Sequence, residues 1–358
     1  MNKGQGIQPV ITALNDLKEN KYDILVDTQN PELKAVRDER GVMLQVPSPR
    51  HGGESRLFGI NPIAHAHIAT ANDIPKRYYD RMKTEHPDLL IENINEWLMT
   101  MKNKTKLVRT LHGSVRAIMS NGYRPLDVDQ LFEAALPTVQ ALDLETRSIA
   151  LTERNFYWKV VHKEMTGEIK VGKVMRAGAM IKGSDVGCSK AVGAMWWEET
   201  ICTNGWVVEK TIDKVHIGAR SHVENGHGST EFFSDETRTM QDQTFMSEFK
   251  DTIKSLFNRK RFDEKIDVFR EAAGQPITAD PTKVVELVQK RHSFTDDERG
   301  SVLSHLVKSG DLSKFGLAAA ITRTAEDLKD YDRSTEFEEI GTQVVETAPS
   351  EWNKLANN

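Results

Sequence analysis

Four of the six tryptophans in this 358-residue chain lie between Phe156 and Trp206, with cations interleaved among them. Phe156 and Trp158 share one face of an extended segment and Tyr157 points the other way. Trp196, Trp197 and Trp206 follow, with Arg154, Lys159, Arg176, Lys182 and Lys190 between or beside them. Rings and cations in this mixture suit single-stranded nucleic acid. Cations neutralise phosphates, and each stacked base contributes about 1 to 3 kcal/mol without demanding a sequence. The candidate phosphate contacts are Arg116, Arg124, Lys170, Arg176 and Lys182. The candidate stacking rings are Tyr123, Trp158 and one of Trp196 or Trp197. Large aromatics also fill cores. Adjacent tryptophans on a strand point to opposite faces, so one of Trp196 and Trp197 needs a second layer, a partner chain or a ligand.

A second chemistry is hydrolytic. Glu168-Ile169-Lys170 has an acid-x-Lys form able to hold a metal ion and activate water, with Asp143 as a second carboxylate. A three-residue pattern of this kind also arises on ordinary strand edges. His65 and His67, two apart on a helical pattern, point away from each other. His216, His222 and His227 match no standard zinc spacing. No metal or other cofactor is expected. The chain contains no Gly-x-x-x-x-Gly-Lys-Ser/Thr, Gly-x-Ser-x-Gly or His-Glu-x-x-His, which argues against a nucleotide-driven motor or a common hydrolase.

The elements that position these residues can be read from local pattern. Residues 22–28 and 41–47 are β-prone runs flanking a charged link. From Asn61 helical spacing takes over, interrupted by Pro62, Pro75 and Pro87. His112-Gly113 joins two strands as a hairpin, Asn121-Gly122 is a further turn, and Asp127 with Gln130 caps a helix ahead of Leu131 and Phe132. Two long strands then meet at Met165-Thr166-Gly167. In the second, odd positions such as Val171, Met175 and Ile181 are apolar, and period two places Lys170, Arg176 and Lys182 on the other face. Cys202 and Asn204-Gly205 read as a strand ending in a turn. Beyond about Gly228 the pattern is helical, with Gly274, Gly300 and Gly310 as breaks or caps.

The expected fold is α+β: a central, mostly antiparallel β-sheet with flanking helices, followed by an all-helical C-terminal region. The expected units are N-terminal strands and loop over 1–60, a helical lead-in over 61–104, a β-rich core over 105–228 and helices over 229–358. A formal charge of −5 gives no global basic signature, yet residues 101–190 hold 15 Lys and Arg against 9 Asp and Glu. Two cysteines and no apolar leader point to a reducing, cytoplasmic setting. No run approaches the roughly 18 apolar residues that a membrane helix needs.

Three ordered stretches, HGSVRAIMSNGYRPLDVDQLFEA, AGAMIKGSDVGCSKAVGAMWWEETICTNGWVV and LAAAITRTAEDLKDYDRSTEFEEIG, resemble the phage/plasmid-like family known as a domain of unknown function, nine-three-two in that series. DIPKRYYDRMKTEHPDLLIENINEWL resembles its helical lead-in, so the resemblance spans roughly residues 55–345. It implies a phage or mobile-element origin, an αβ core followed by helices, and the host cytoplasm as the place of action. It brings no catalytic residues.

Together these readings lead to a non-enzymatic, homo-oligomeric phage protein that binds or anneals single-stranded DNA in recombination or replication. The alternatives are a metal-dependent nuclease using Asp143, Glu168 and Lys170, or a phage protein that binds and inhibits a host defence or replication factor. Exposure of the basic face separates them: an open groove favours DNA, and burial beneath the C-terminal helices favours a protein partner.

Overall fold

A computed structural model describes residues 6–47, 54–101, 104–123, 126–200, 204–214 and 235–356. The chain opens with α1 (Ile7–Asn20), whose Val10, Leu14 and Leu17 fall on one face and are buried. Strands β1 (Lys21–Asp27), β2 (Lys34–Asp38), β3 (Gly41–Pro47) and β4 (Ser55–Ile60) follow. The charged link thus carries a strand of its own, and the N-terminal segment carries a helix that strand signals alone did not predict. Helices α2 (Pro62–Ala71), α3 (Lys76–Glu85) and α4 (Pro87–Thr100) form the helical lead-in. Asn61 caps α2 by accepting from the Ala64 N–H, and Pro62 sits in the first turn where its missing N–H costs nothing.

The hairpin of β5 (Thr105–Leu111) and β6 (Ser114–Ser120) turns at His112-Gly113, with φ of 47° and 75°. Two consecutive positive φ values match the right-handed twist of the paired strands. This hairpin joins the N-terminal strands in a six-stranded sheet of order β1-β5-β6-β4-β3-β2, antiparallel except for the β4–β6 pair. Helices α2–α4 cover one face. Ile24, Val26, Leu44, Val46, Val108 and Val115 of the sheet share a core with Ile68, Tyr79, Leu90, Ile94 and Leu98.

Helix α5 (Val128–Ala141) leads to the second sheet, formed by β7 (Glu145–Leu151), β8 (Phe156–Lys170), β9 (Lys173–Gly183), β10 (Ala191–Glu199) and β11 (Gly205–Lys214). Its order is β11-β10-β9-β8-β7, every pair antiparallel. The Asp127–Gln130 cap of α5 is present, Gln130 Oε1 accepting from the Asp127 N–H at 3.2 Å. The turn expected at Met165-Thr166-Gly167 is not there: β8 runs through it, and the chain reverses at Val171-Gly172. Gly167 answers to close packing instead, because a Cβ would meet Ile266 at 2.9 Å and Phe262 at 3.0 Å.

The C-terminal region is all helical: α6 (Asp235–Ser255), α7 (Arg259–Ala273), α8 (Pro281–His292), α9 (Asp296–Ser309), α10 (Lys314–Thr324), α11 (Tyr331–Val345) and α12 (Pro349–Ala356). Gly274 and Gly310 end α7 and α9, whereas Gly300 lies inside α9. These helices wrap the five-stranded sheet. One face, with Trp158, Ala179, Met195, Trp197 and Trp206, packs on Phe132 of α5, Phe249 of α6, Phe262 and Phe269 of α7 and Phe315 of α10. The other, with Tyr157, Met180, Ala194, Trp196 and Val207, packs on Tyr331 of α11.

Candidate nucleic-acid interface

The structure places the predicted residues in three different environments and leaves one outside the described residues. That one is Arg124; Cys202, His216, His222 and His227 also lie outside them.

The expected stacking rings of the sheet are core side chains. Trp158 is 1% exposed and Trp196 and Trp197 are 0% exposed, so no base can lie on them. Trp158 packs on Phe132 and donates its indole N–H to Thr146 Oγ1 at 3.0 Å. Trp197 packs on Phe262 and Phe269, with ring centroids 4.8 and 5.3 Å away. Trp196 points to the other face, where its Nε1 donates to Glu338 Oε2 at 3.0 Å. The tryptophan pair therefore fills two protein layers, one on each side of the sheet. Gly205 permits the second of these: a Cβ there would stand 2.3 Å from Glu338 Oε1.

The basic face is also occupied. Arg176 lies 3.6 Å from Glu145 and 3.9 Å from Glu198. Lys182 lies over the Tyr157 ring at 5.2 Å. Lys170 belongs to β8 rather than to the strand of the other two, and its Nζ donates to Asp311 at 2.5 Å. Between these, α11 seals the sheet through a buried polar network. Lys159 donates to Glu338 Oε2 at 2.8 Å and to Thr335 at 3.2 Å, and Tyr157 donates to Asp332 at 2.7 Å. A continuous phosphate track over Lys170, Arg176 and Lys182 is thus absent among the described residues.

Arg116 and Tyr123 lie at the joint between the sheets. Arg116 is buried and donates through Nη1 to Asp185 Oδ2 at 3.0 Å. Arg109, fully buried beside it, holds Asp23 at 3.0 Å, Asp127 at 2.7 Å and the Asp185 carbonyl at 2.7 Å. Lys21 adds bonds to Asp127 and Asp129 at 2.6 and 2.9 Å. Cations from β1, β5 and β6 thus meet carboxylates from β1, the start of α5 and the segment after β9. Burial pushes the Tyr123 phenol above its ordinary range, with the Arg109 guanidinium opposing.

The candidate nuclease set is not assembled. Asp143 pairs with Lys163 at 2.5 Å, Glu168 accepts from the Gly172 N–H at 3.3 Å, and Lys170 is held by Asp311. Each of the three is thus held by a different partner, and no shared contact among the described residues draws Asp143 to Glu168. Among the described residues no group of three or more His, Cys, Asp or Glu side chains could hold a metal ion.

An open groove lies elsewhere, between the end of α2, the start of α3 and the end of α4. Its volume is about 780 Å³, and Asn72, Tyr78, Asn93, Trp97, Met101 and Lys106 are among its lining. Trp97 is 50% exposed and Tyr78 49% exposed, whereas the other five tryptophans are buried. In α4 the buried stripe is Leu90, Ile94 and Leu98, which leaves Trp97 at its flank. Sequence reading missed this site because one tryptophan in a helix gives no cluster. The available signal was an aromatic at the edge of an otherwise aliphatic stripe.

No family model matches the chain, and neither a curated protein nor a solved structure matches it.

Proposed function

We propose that the chain is a non-enzymatic single-stranded DNA binding protein of a phage or plasmid, and that bases stack on Trp97 and Tyr78 rather than on the tryptophans of the sheet. The observation that carries this reading is the exposed ring pair on an open groove, with Lys106 on the same wall. Arg77, next in sequence to Tyr78, and Lys104, two residues before Lys106, are both exposed and would meet phosphates. Stacking on such rings is worth about 1 to 3 kcal/mol per base, which sets the expected effect. In anisotropy with a labelled oligo-dT at low salt, Trp97→Ala and Tyr78→Ala should each weaken binding by about 5- to 150-fold. Absence of binding by the parent protein at micromolar concentration would refute the reading.

A protein partner is the second reading, favoured by the engagement of Lys159, Lys170 and Arg176 by carboxylates of the chain itself. Exposed tryptophan and tyrosine also anchor protein interfaces. A partner captured from host lysate that survives nuclease treatment and is lost with Trp97→Ala would select it.

A further inference from the structure

The six-stranded sheet ends in β2 on one side and β1 on the other, and the two edges are finished differently. At β2 the Asn95 side chain of α4 stands in for a neighbouring strand: its Oδ1 accepts from the Ala35 N–H at 2.7 Å and its Nδ2 donates to the Ala35 carbonyl at 3.0 Å. No such cap covers β1 among the described residues. The Thr28 N–H donates to the Lys104 carbonyl in line with the β1–β5 pairing. By alternation the main-chain groups of Tyr22, Ile24 and Val26 therefore point at β5, and those of Asp23 and Leu25 point outward. The flanking outward groups are partly used, the Lys21 N–H on the Leu17 carbonyl and the Asp27 carbonyl on the Asn30 N–H. The outward N–H and C=O groups of Asp23 and Leu25 have no partner, and the Leu25 side chain is 63% exposed. An open edge of this kind is a template for another strand.

We propose that β1 pairs antiparallel with β1 of a second copy of the chain, about a two-fold axis through Ile24. The strand sequence KYDILVD is its own complement in that register, with Lys21 opposite the partner's Asp27 and Asp27 opposite the partner's Lys21. Asp23 then exchanges both main-chain bonds with the partner's Leu25, and Leu25 with the partner's Asp23. The two exposed leucines lie diagonally across the axis, roughly 7 to 8 Å apart and within reach of each other. Moving the axis to Asp23 or to Leu25 sets carboxylates opposite one another, Asp23 on Asp23 or Asp23 on Asp27, which is destabilising. The axis is perpendicular to the sheet, so both copies carry α2–α4 on the same face. Lys106 is level with Val26 and would lie roughly 20 Å from its counterpart, given strands about 4.8 Å apart and a rise of about 3.3 Å per residue. Two Trp97 grooves thus open on one side of a continuous sheet, and on the DNA reading a single strand could occupy both.

The test is sedimentation velocity of the full chain, without DNA, from low to high micromolar concentration. Monomer and dimer should exchange reversibly, with no larger species, because a two-fold contact closes on itself. Leu25→Pro removes an outward N–H, which an edge strand tolerates, and should give a monomer that remains folded by circular dichroism. Asp27→Lys, at an exposed position, sets a second ammonium opposite the partner's Lys21 and should weaken the dimer about tenfold. That variant also decides the matter should Leu25→Pro fail to fold. A parent protein that stays monomeric, an open-ended series of oligomers, an unchanged dimer in a folded Leu25→Pro protein, or an Asp27→Lys dimer as tight as the parent's or tighter would overturn the proposal. With DNA absent, the result is independent of the Trp97 groove: a monomer that still binds oligo-dT would remove the dimer and leave the groove reading standing.

Discussion

The six-stranded sheet carries helices over one face, whereas the five-stranded sheet is covered on both. On the first, Leu25 of β1 and Leu57 of β4 remain 63% and 39% exposed on the face opposite the helices. On the second, every residue of β10 is buried. The same contrast governs the aromatics. The five-stranded sheet holds Trp158, Trp196, Trp197 and Trp206, none more than 1% exposed, while the single tryptophan of the N-terminal helices is half exposed. A cluster of rings and cations in sequence thus reports how many layers a sheet must bind together. Polar residues on a doubly covered sheet become internal connectors, as Lys159 does.

The largest effect expected from this contrast lies at the α11 contact. Glu338→Gln would leave the Lys159 ammonium, 1% exposed, without a counter-charge. Removing one member of a buried pair costs about 3 to 5 kcal/mol. Urea unfolding should show that loss, and Lys159→Met with Glu338→Gln, which keeps an amide oxygen for the Trp196 N–H, should recover most of it. A loss below about 1 kcal/mol would mean that α11 does not seal this face.

The tryptophan pair gives the next largest effect and separates the two layers. Trp196→Phe removes a donor to the buried Glu338 carboxylate, at a cost of about 1.5 to 3 kcal/mol for the hydrogen bond besides the lost volume. Trp197→Phe removes an N–H that has no partner, so only the lost volume counts against it. Unfolding midpoints should therefore fall further for Trp196→Phe. Equal losses would contradict a stabilising Trp196–Glu338 hydrogen bond.

Much of this fold was legible where the determinants are local. His112-Gly113, the Asp127–Gln130 cap, the prolines of the lead-in and the apolar alternation through Met175, Ala177, Ala179 and Ile181 each act within a few residues, and each reads correctly. Gly167 misled because a glycine needed for close approach of α7 looks like a glycine needed for a turn. The partners of the sheet's polar residues were not legible at all. Lys159, Tyr157 and Lys170 are held by Glu338, Asp332 and Asp311, which lie more than 100 residues away in sequence and meet the sheet only once the helices fold back. The Trp97 groove was hidden for a related reason, since exposure at the flank of α4 is set by where α2 stops and α3 starts.

Acid should act on the N-terminal unit through His65. This imidazole is buried against Tyr79, its Nδ1 2.7 Å from the phenol oxygen, and burial pushes its pKa down to about 4. A base whose folded pKa lies below its unfolded value of roughly 6.5 contributes stability above that pH and loses it as pH falls towards 4. About 2 kcal/mol should be gone by pH 5. Urea unfolding between pH 7 and 5, followed through Trp97 emission, should show that slope, and His65→Gln should flatten it.

The smallest stability effect is expected where the functional claim is strongest. Trp97 stands on a singly covered sheet's helices with half its surface in solvent, so Trp97→Ala should change unfolding free energy by no more than about 0.5 to 1 kcal/mol. Acrylamide quenching should nevertheless fall sharply in that variant, because the five remaining tryptophans are buried. A change of several kcal/mol would show that the ring supports the core as Trp197 does. An unchanged quenching profile would place the accessible indole among the other five tryptophans. A stable variant that has lost the quenchable indole keeps the contrast between the two sheets intact, and makes Trp97→Ala a clean test of the proposed binding role of the groove.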